Sequence, residues 1–470
     1  MQCLFYTAKR EKTDREQEGG KHMQELINGS PIKGILKFML PIFAGNILQQ
    51  IYQMADNIMV GQFVGSNAFA AVGATYGIFF LISGFIWGTT TGFTVLTAQK
   101  YGEGNVEKTR QTIGTAVWLS IIVTGLVTLT TVAAMPWLLR LMNTPADIFQ
   151  DAYAYIVIIC AGLAAQVLYN LMAGILRAIG NSKVPLYFLI LASILNIFLD
   201  LLFILPLKMG VVGAALATVI SQGISGVLCL IYVVMKIPYL HLTKQDFRFR
   251  KEIAKEELLI GIPMALQYII TSIGMLFIQA SLNLLGTLAV TAYSVGNKVN
   301  VILEQGPIAI GTAMATYSAQ NLGAGKVKRI RQGVWAADKL MLLYFLIFGT
   351  LTALFGKYVT YLFVSENVDS ILENVDLLLK IVSSTGIFLG ILCVYRNCVQ
   401  GMGYGPIALL GGIVELIARS IVAAITMQYR TFFYVCMGYP TAWLFASIFF
   451  VVVYSITVRR QESFQQNSDE

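Results

Sequence analysis

The sequence predicts an all-α integral membrane protein with about 12 transmembrane helices in two six-helix bundles. Three observations support this prediction. The chain has 470 residues, of which 56% are hydrophobic and only 12% are charged, whereas a soluble domain carries about 25% charged residues. Its apolar runs are long enough for helices that cross a bilayer, which need roughly 20 residues each. The second half of the chain also repeats the first.

The apolar runs divide the chain into two sets of six. We assign membrane helices to 34–57, 67–98, 110–135, 150–178, 185–206 and 209–236, and then to 256–282, 288–319, 331–363, 369–401, 405–428 and 431–459. This division predicts an N-terminal tail (1–32), an N-lobe (33–236), a linker (237–255), a C-lobe (256–459) and a C-terminal tail (460–470).

Lys and Arg concentrate in the loops on one side of these runs. That side receives both termini and, among others, the loops from Lys100 to Arg110 and from Lys326 to Arg331. The positive-inside rule places it in the cytoplasm, so we expect a multi-pass protein of the cell membrane with both termini cytoplasmic. The same distribution accounts for the net charge of +8, and we expect no nucleic-acid partner.

Two loops carry the clearest internal repeat. AQKYGEGNVEKTRQ (Ala98–Gln111) matches AQNLGAGKVKRIRQ (Ala319–Gln332). Because six spans separate the two loops, both lobes keep the same orientation in the membrane, as in a parallel repeat.

Several functional classes find no support in the sequence. It has no Walker A loop for ATP, no spacing of Cys and His typical of a metal site, and no histidine inside a predicted span. An integral membrane enzyme would need a catalytic cluster at a membrane face. We find none, and we expect no cofactor.

Four acidic residues lie deep within predicted spans: Asp56, Asp200, Glu304 and Glu415. An ionisable group there costs roughly 2.5–3.5 kcal/mol on insertion scales, and such groups usually serve a function. Asn196 and Asp200 share one helix face because they are four positions apart. If Asp56 on the first span and Thr218 on the sixth lie beside them, two carboxylates, an amide oxygen and a hydroxyl converge. Such ligands suit Na⁺ or a shared proton.

The C-lobe acids have a different setting. Glu415 and Arg419 are also four residues apart, which favours an internal, structural ion pair. Lys298 and Glu304 on the eighth span are six residues apart. They either line a cavity or are structural.

With these motifs, the chain resembles the multidrug and toxic compound extrusion (MATE) family from about Lys33 to Tyr454. The residues that carry the resemblance are LPIFAGNILQQIYQMADNIMVGQFVG, the two Ala-Gln loops, ILRAIGNSKVP, GVVGAALATVISQ and YPTAW. The resemblance implies two bundles that face each other in a V. It also implies a monomer in the lipid bilayer that exports amphipathic drugs or toxic compounds by antiport with H⁺ or Na⁺.

The resemblance also assigns residues to the coupling step. The family's N-lobe cation site falls on Asp56, Asn196, Asp200 and Thr218, and its first-helix proline, a bending point, falls on Pro41. A proline permits bending because it removes one backbone hydrogen bond.

This sequence departs from the family in the C-lobe. The acidic positions of a second cation site hold Thr271 and, approximately, Leu389, and the Leu-Arg-Gly motif reads Val399-Gln400-Gly401. An alternative function is that of a lipid-linked oligosaccharide flippase of a related fold.

Overall fold

The computed structural model describes residues 25–237, 240–363 and 368–469, and this part of the chain is helical without a β-strand. Most of the predicted N-terminal tail, and part of the linker, lie outside the described residues. The first six helices are α1 (Pro31–Met59), α2 (Ser66–Gly102), α3 (Val106–Leu141), α4 in two pieces (Phe149–Ala161 and Leu163–Ala178), α5 (Lys183–Ile204) and α6 (Gly210–Lys236).

The remaining helices are α7 (Lys251–Asn283), α8 (Thr287–Gly323), α9 (Val327–Tyr344), α10 (Val368–Gly401), α11 (Gly405–Tyr429) and α12 (Gly438–Asp469). Short segments extend α9 to Phe363, beginning with a π-helical turn at Phe345–Gly349. A five-residue helix, Phe432–Cys436, precedes α12.

Ten helices among the described residues are long and apolar enough to cross a membrane, or eleven if the two pieces of α4 form one span. The pieces are bent by 43°. The remaining long helix is α8, with 37 residues. Its middle carries polar side chains that lower its apolarity: Asn297, Lys298, Asn300, Glu304 and Gln305. The all-α membrane fold is therefore as predicted.

The chain divides into two compact units. The N-unit contains Ala44–Gly261 with the residues up to Gly29, and the C-unit contains Ser30–Phe43 with Ile262 onward. Two helices are consequently shared. The first turns of α1 belong to the C-unit and the first turns of α7 to the N-unit. In each helix the boundary lies two residues or fewer from a proline, Pro41 or Pro263.

The two matched loops have the same backbone geometry. Gly104 (φ 71°) and Gly325 (φ 68°) both adopt the left-handed conformation that glycine allows. The amide that follows each glycine donates to a carbonyl five residues back, Asn105 to Lys100 at 3.2 Å and Lys326 to Asn321 at 2.8 Å. These turns end one helix and start the next at equivalent positions, as the internal repeat predicts.

Each unit has its own apolar core. In the N-unit one core cluster includes Phe93, Ile113 and Leu176, and in the C-unit another includes Leu378, Trp443 and Phe450. Outward faces also carry large apolar side chains, such as the exposed Leu126 and Leu129 of α3. Exposed apolar side chains of this kind are expected where a helix faces lipid.

Three boundaries differ from the prediction. The run 150–178 is one predicted span, but the helix breaks at Gly162. Helix α7 starts at Lys251, within the predicted linker, because its first turn is polar and gives no apolar signal. The predicted C-terminal tail continues α12 through Asp469.

Candidate functional site

The carboxyl groups of Asp56 on α1 and Asp200 on α5 lie within hydrogen-bonding reach of each other. Asp200 is fully buried and Asp56 is partly buried. No residue spacing places α1 beside α5; the family resemblance alone had grouped the two acids in one site. The fold of the N-unit brings their carboxyl groups together.

An apolar cluster positions these two acids. Met59 and Val60 follow Asp56 by one helical turn, and Ile204 follows Asp200 by one turn. All three pack together with Val211 and Ala214 of α6. Because this cluster fixes the ends of α1 and α5 against the start of α6, it determines where the two carboxyl groups meet.

Asn196 lies one turn before Asp200 and is buried. Neither its amide nitrogen nor its amide oxygen has a hydrogen-bond partner. Thr218, the fourth predicted residue, lies on α6 and is partly buried. Its hydroxyl donates to the Ala214 carbonyl of its own helix at 3.1 Å. The structure thus joins Asp56 with Asp200 and places Asn196 one turn away, whereas the hydroxyl proton of Thr218 is used within α6.

Two tyrosines and a glutamine complete the surroundings. Tyr52 is buried one turn before Asp56, and it lies within hydrogen-bonding reach of Gln222 on α6. Tyr155 on α4 lies close enough to interact electrostatically with both acids. The four-residue spacing from Asp56 could have identified Tyr52. No sequence signal identifies Tyr155, because α4 is distant along the chain.

The facing carboxylates lack a hydrogen-bond donor. Both side-chain oxygens of Asp200 and one of Asp56 are buried without a donor partner. An ionised carboxylate only accepts hydrogen bonds, so two of them attract each other only through a shared proton or a cation. The oxygens of Asp56, Asn196 and Asp200 are hard ligands of the kind that an alkali cation accepts.

No group of three or more His, Cys, Asp or Glu side chains in the described ranges could hold a metal ion. A Na⁺ ion at the carboxylate pair would therefore depend on the amide and hydroxyl oxygens that complete the set.

In the C-unit, Glu415 makes the expected ion pair with Arg419, at 3.0 Å from Oε2. A second cation, Arg396 of α10, lies 3.4 Å from Oε1. Arg419 also donates to the Thr271 carbonyl at 3.4 Å. Sequence reasoning missed Arg396 because it lies near the end of α10, where it resembles an interfacial anchor. Glu415 therefore has a cation on each oxygen.

Lys298 and Glu304 contact different partners. The Lys298 ammonium lies 5.5 Å from the centre of the Phe363 ring, and Glu304 accepts from the Asn300 amide at 2.7 Å.

Asp338 is a further acid in a span, and Tyr395 donates to it at 3.0 Å. At the positions of the family's second cation site, Thr271 and Leu389 supply no carboxylate.

A model of the MatE family matches this chain twice, at residues 41–202 and 263–425. The chain belongs to the MatE family. The two matches begin at Pro41 and Pro263, so the family model places these two prolines at equivalent positions. The family's members are transporters, and we treat this MatE protein as a transporter rather than an enzyme.

Curated relatives and solved structures agree with this assignment. The chain is 30% identical to the probable multidrug resistance protein YpnP of Bacillus subtilis, over 73% of this chain and 76% of the relative. It is 27% identical to the probable multidrug resistance protein NorM of Thermotoga maritima, over 84% and 86%. A multidrug resistance MATE family transporter of the MOP superfamily, solved in an outward-facing conformation, superposes with a TM-score of 0.87. That match has 25% identity and covers 93% of this chain and 98% of that one.

The double ion pair makes Glu415 a structural residue. We expect Glu415→Gln to lower stability by about 3–5 kcal/mol, because it leaves buried Arg419 without an anion. Thermal unfolding of the purified protein in detergent, together with its yield, measures the effect.

The matched control is Asp376→Asn. Asp376 also contacts two cations, Lys380 at 2.6 Å and Lys357 at 3.6 Å, but it is more exposed than Glu415. We expect this change to cost less than about 1 kcal/mol. Equal unfolding temperatures for Glu415→Gln and the parent would show that the triad is not structural.

Proposed function

We propose that this MatE protein exports amphipathic organic cations, drugs or toxic compounds by antiport with H⁺ or Na⁺, with Asp56 and Asp200 as the coupling pair. The observation that carries the proposal is the meeting of these carboxyl groups with three of their four oxygens buried and without a hydrogen-bond donor. Such a pair gains most from a proton or cation, which is the property that a coupling site needs.

Membership of the family supports export as the direction of transport, and the names of the curated relatives support drugs as the cargo. The distribution of Lys and Arg supports a cell-membrane protein with both termini in the cytoplasm. We propose that it works as a monomer, because each chain contains both lobes of the repeat.

The coupling proposal assigns roles to the remaining site residues. Asn196 and Thr218 would supply neutral oxygen ligands beside the two carboxylates. Tyr52 and Tyr155 would form part of the wall of the site. A cation can only drive a conformational cycle if it binds one conformation more tightly than the other.

Asp56→Asn and Asp200→Asn should each abolish coupled export while the protein still folds, because removing a buried charge lowers the cost of insertion. The assay is movement of fluorescent ethidium in proteoliposomes under a Na⁺ gradient and, separately, under a proton gradient. The gradient that drives the parent identifies the coupling ion.

Asp151→Asn is the control for this assay. Asp151 is an exposed acid in the first turn of α4, in the same unit, and its variant should transport like the parent. Full export by either Asp56→Asn or Asp200→Asn would contradict the coupling proposal. Transport of a lipid-linked oligosaccharide instead of ethidium would favour the flippase.

Pro41→Ala should slow turnover more than it weakens drug binding. Pro41 lies within α1, two residues before the chain passes from the C-unit to the N-unit. Alanine restores a backbone hydrogen bond there and stiffens the bending point. The maximal export rate and the equilibrium binding of ethidium, measured on the same preparation, separate the two effects.

Pro136→Ala gives the matched comparison, because Pro136 also lies inside a helix, α3, but within one unit. We expect it to leave the export rate near that of the parent. If Pro136→Ala slows export as much as Pro41→Ala does, the bending role of Pro41 is wrong.

A further inference from the structure

The first turns of α7 contain a carboxylate that the coupling pair does not use. Glu257 is fully buried, whereas the neighbouring Glu256 is exposed. Both side-chain oxygens of Glu257 lack a hydrogen-bond partner, and no ion pair joins it to a cation in the described structure. Burying an ionised carboxylate without a partner costs several kcal/mol or more.

Close packing of α7 against α2 explains why no donor reaches Glu257. Gly261 lies one turn after Glu257 on the same face, and a Cβ placed on Gly261 would lie 2.7 Å from the Phe93 ring and 3.1 Å from the Thr89 carbonyl. Gly92 of α2 faces the Gly261 backbone in turn. Two glycines at this crossing bring the helices together and leave little room for a partner side chain.

A second unsatisfied polar group lies at the same level of the bundle. In the predicted topology α2 ends and α7 begins on the cytoplasmic side. Glu257 on α7 and Thr97 on α2 each lie about one helical turn from the glycine crossing, towards the cytoplasmic side. Thr97 is fully buried, and its hydroxyl has no hydrogen-bond partner. Ala254 lies one turn before Glu257 on the same helix. It packs into the apolar cluster with Phe93 and Ile113.

The titratable groups on the surrounding elements have other partners. Lys100 on α2 pairs with Glu103 at 2.7 Å. Asp246 of the linker accepts from Thr243, and Arg250 donates to backbone carbonyls. Tyr101 on α2 and Arg110 on α3 also have partners, and neither donates a hydrogen bond to Glu257. The charge that acts on Glu257 is that of Glu256, of the same sign.

We propose that Glu257 is a proton-binding site of this transporter, separate from the coupling pair of Asp56 and Asp200. Its carboxyl group carries a proton while the first turns of α7 pack against the N-unit. It releases that proton to water when these turns separate from α2, because the exposed carboxylate is then hydrated. Pro263 lies two residues beyond the point where α7 passes into the C-unit, and it weakens the helix there by removing one backbone hydrogen bond.

The test measures how accessible the packed face of α7 is at different pH values. A cysteine replaces buried Ala254 in one protein and exposed Lys255 in another, both in a Cys3→Ser background, since the five cysteines in the described residues are buried. Reaction with a maleimide is followed in inside-out membrane vesicles. The Lys255→Cys protein corrects for the general increase in thiolate with pH.

Accessibility at position 254, relative to position 255, should rise about ten-fold from mildly acidic to mildly alkaline buffer, which corresponds to about 1.4 kcal/mol. Glu257→Gln should remove this rise and keep the face protected throughout, because the amide cannot ionise. Glu256→Gln, the exposed neighbour, should leave the rise intact. Glu257→Leu gives a second neutral variant if the glutamine protein is poorly produced.

An equal pH response at positions 254 and 255 in the parent would overturn the proposal before any change at Glu257. So would a rise that persists in Glu257→Gln. The measurement requires no transport and no substrate, so its failure leaves the coupling role of Asp56 and Asp200 intact. Conversely, full export by Asp56→Asn would contradict the coupling proposal and leave the proposal for Glu257 standing.

Discussion

A polar side chain within a membrane helix must find its partners inside the protein, because the surrounding hydrocarbon offers none. Many of the described polar side chains meet this requirement within their own helix. Thr109 and Thr426, for example, donate to carbonyls one turn back in their own helices, at 2.7 and 2.9 Å. The exceptions are therefore informative. Asp200 and Asn196 are buried with every side-chain polar atom unsatisfied. Such groups cost stability in the state observed, and a proton or cation that binds them recovers that cost.

The two units satisfy this constraint differently at related positions. In the N-unit the fifth helix supplies an amide and a carboxylate that lack partners, and α1 adds a second carboxylate. In the C-unit the fifth helix, α11, supplies Glu415 and its own counter-charge Arg419, and α10 adds Arg396. Each oxygen of Glu415 is thus matched by a guanidinium group of its own unit, whereas neither side-chain oxygen of Asp200 has a hydrogen-bond partner. This contrast explains why we assign coupling to the N-unit and a structural role to the Glu415 triad.

The sequence was sufficient to predict the helical membrane fold and the repeated loops, and it singled out the acids within the spans, because burial cost and apolar periodicity are local properties. It predicted the Glu415–Arg419 pair because the partners lie one turn apart on one helix. It could not supply Arg396 or Tyr155, since each comes from another helix and no spacing rule connects them to the site. Glu257 was missed for a related reason. It lies in the polar first turns of α7, where the sequence is typical of a solvated helix end, and no local spacing indicates that the fold buries it.

The two shared helices connect these observations. Asp56 lies on α1 and Glu257 lies on α7, the helices that pass from one unit to the other beside Pro41 and Pro263. A side chain whose helix and neighbours move together keeps the same surroundings in every conformation, so its protonation cannot favour one conformation over another. An acid on a shared helix would meet different surroundings only if its turns left their N-unit neighbours when the helix bends. Protonation and bending are then linked in both directions, and each acid contributes to the cycle only as far as its surroundings differ between the two states.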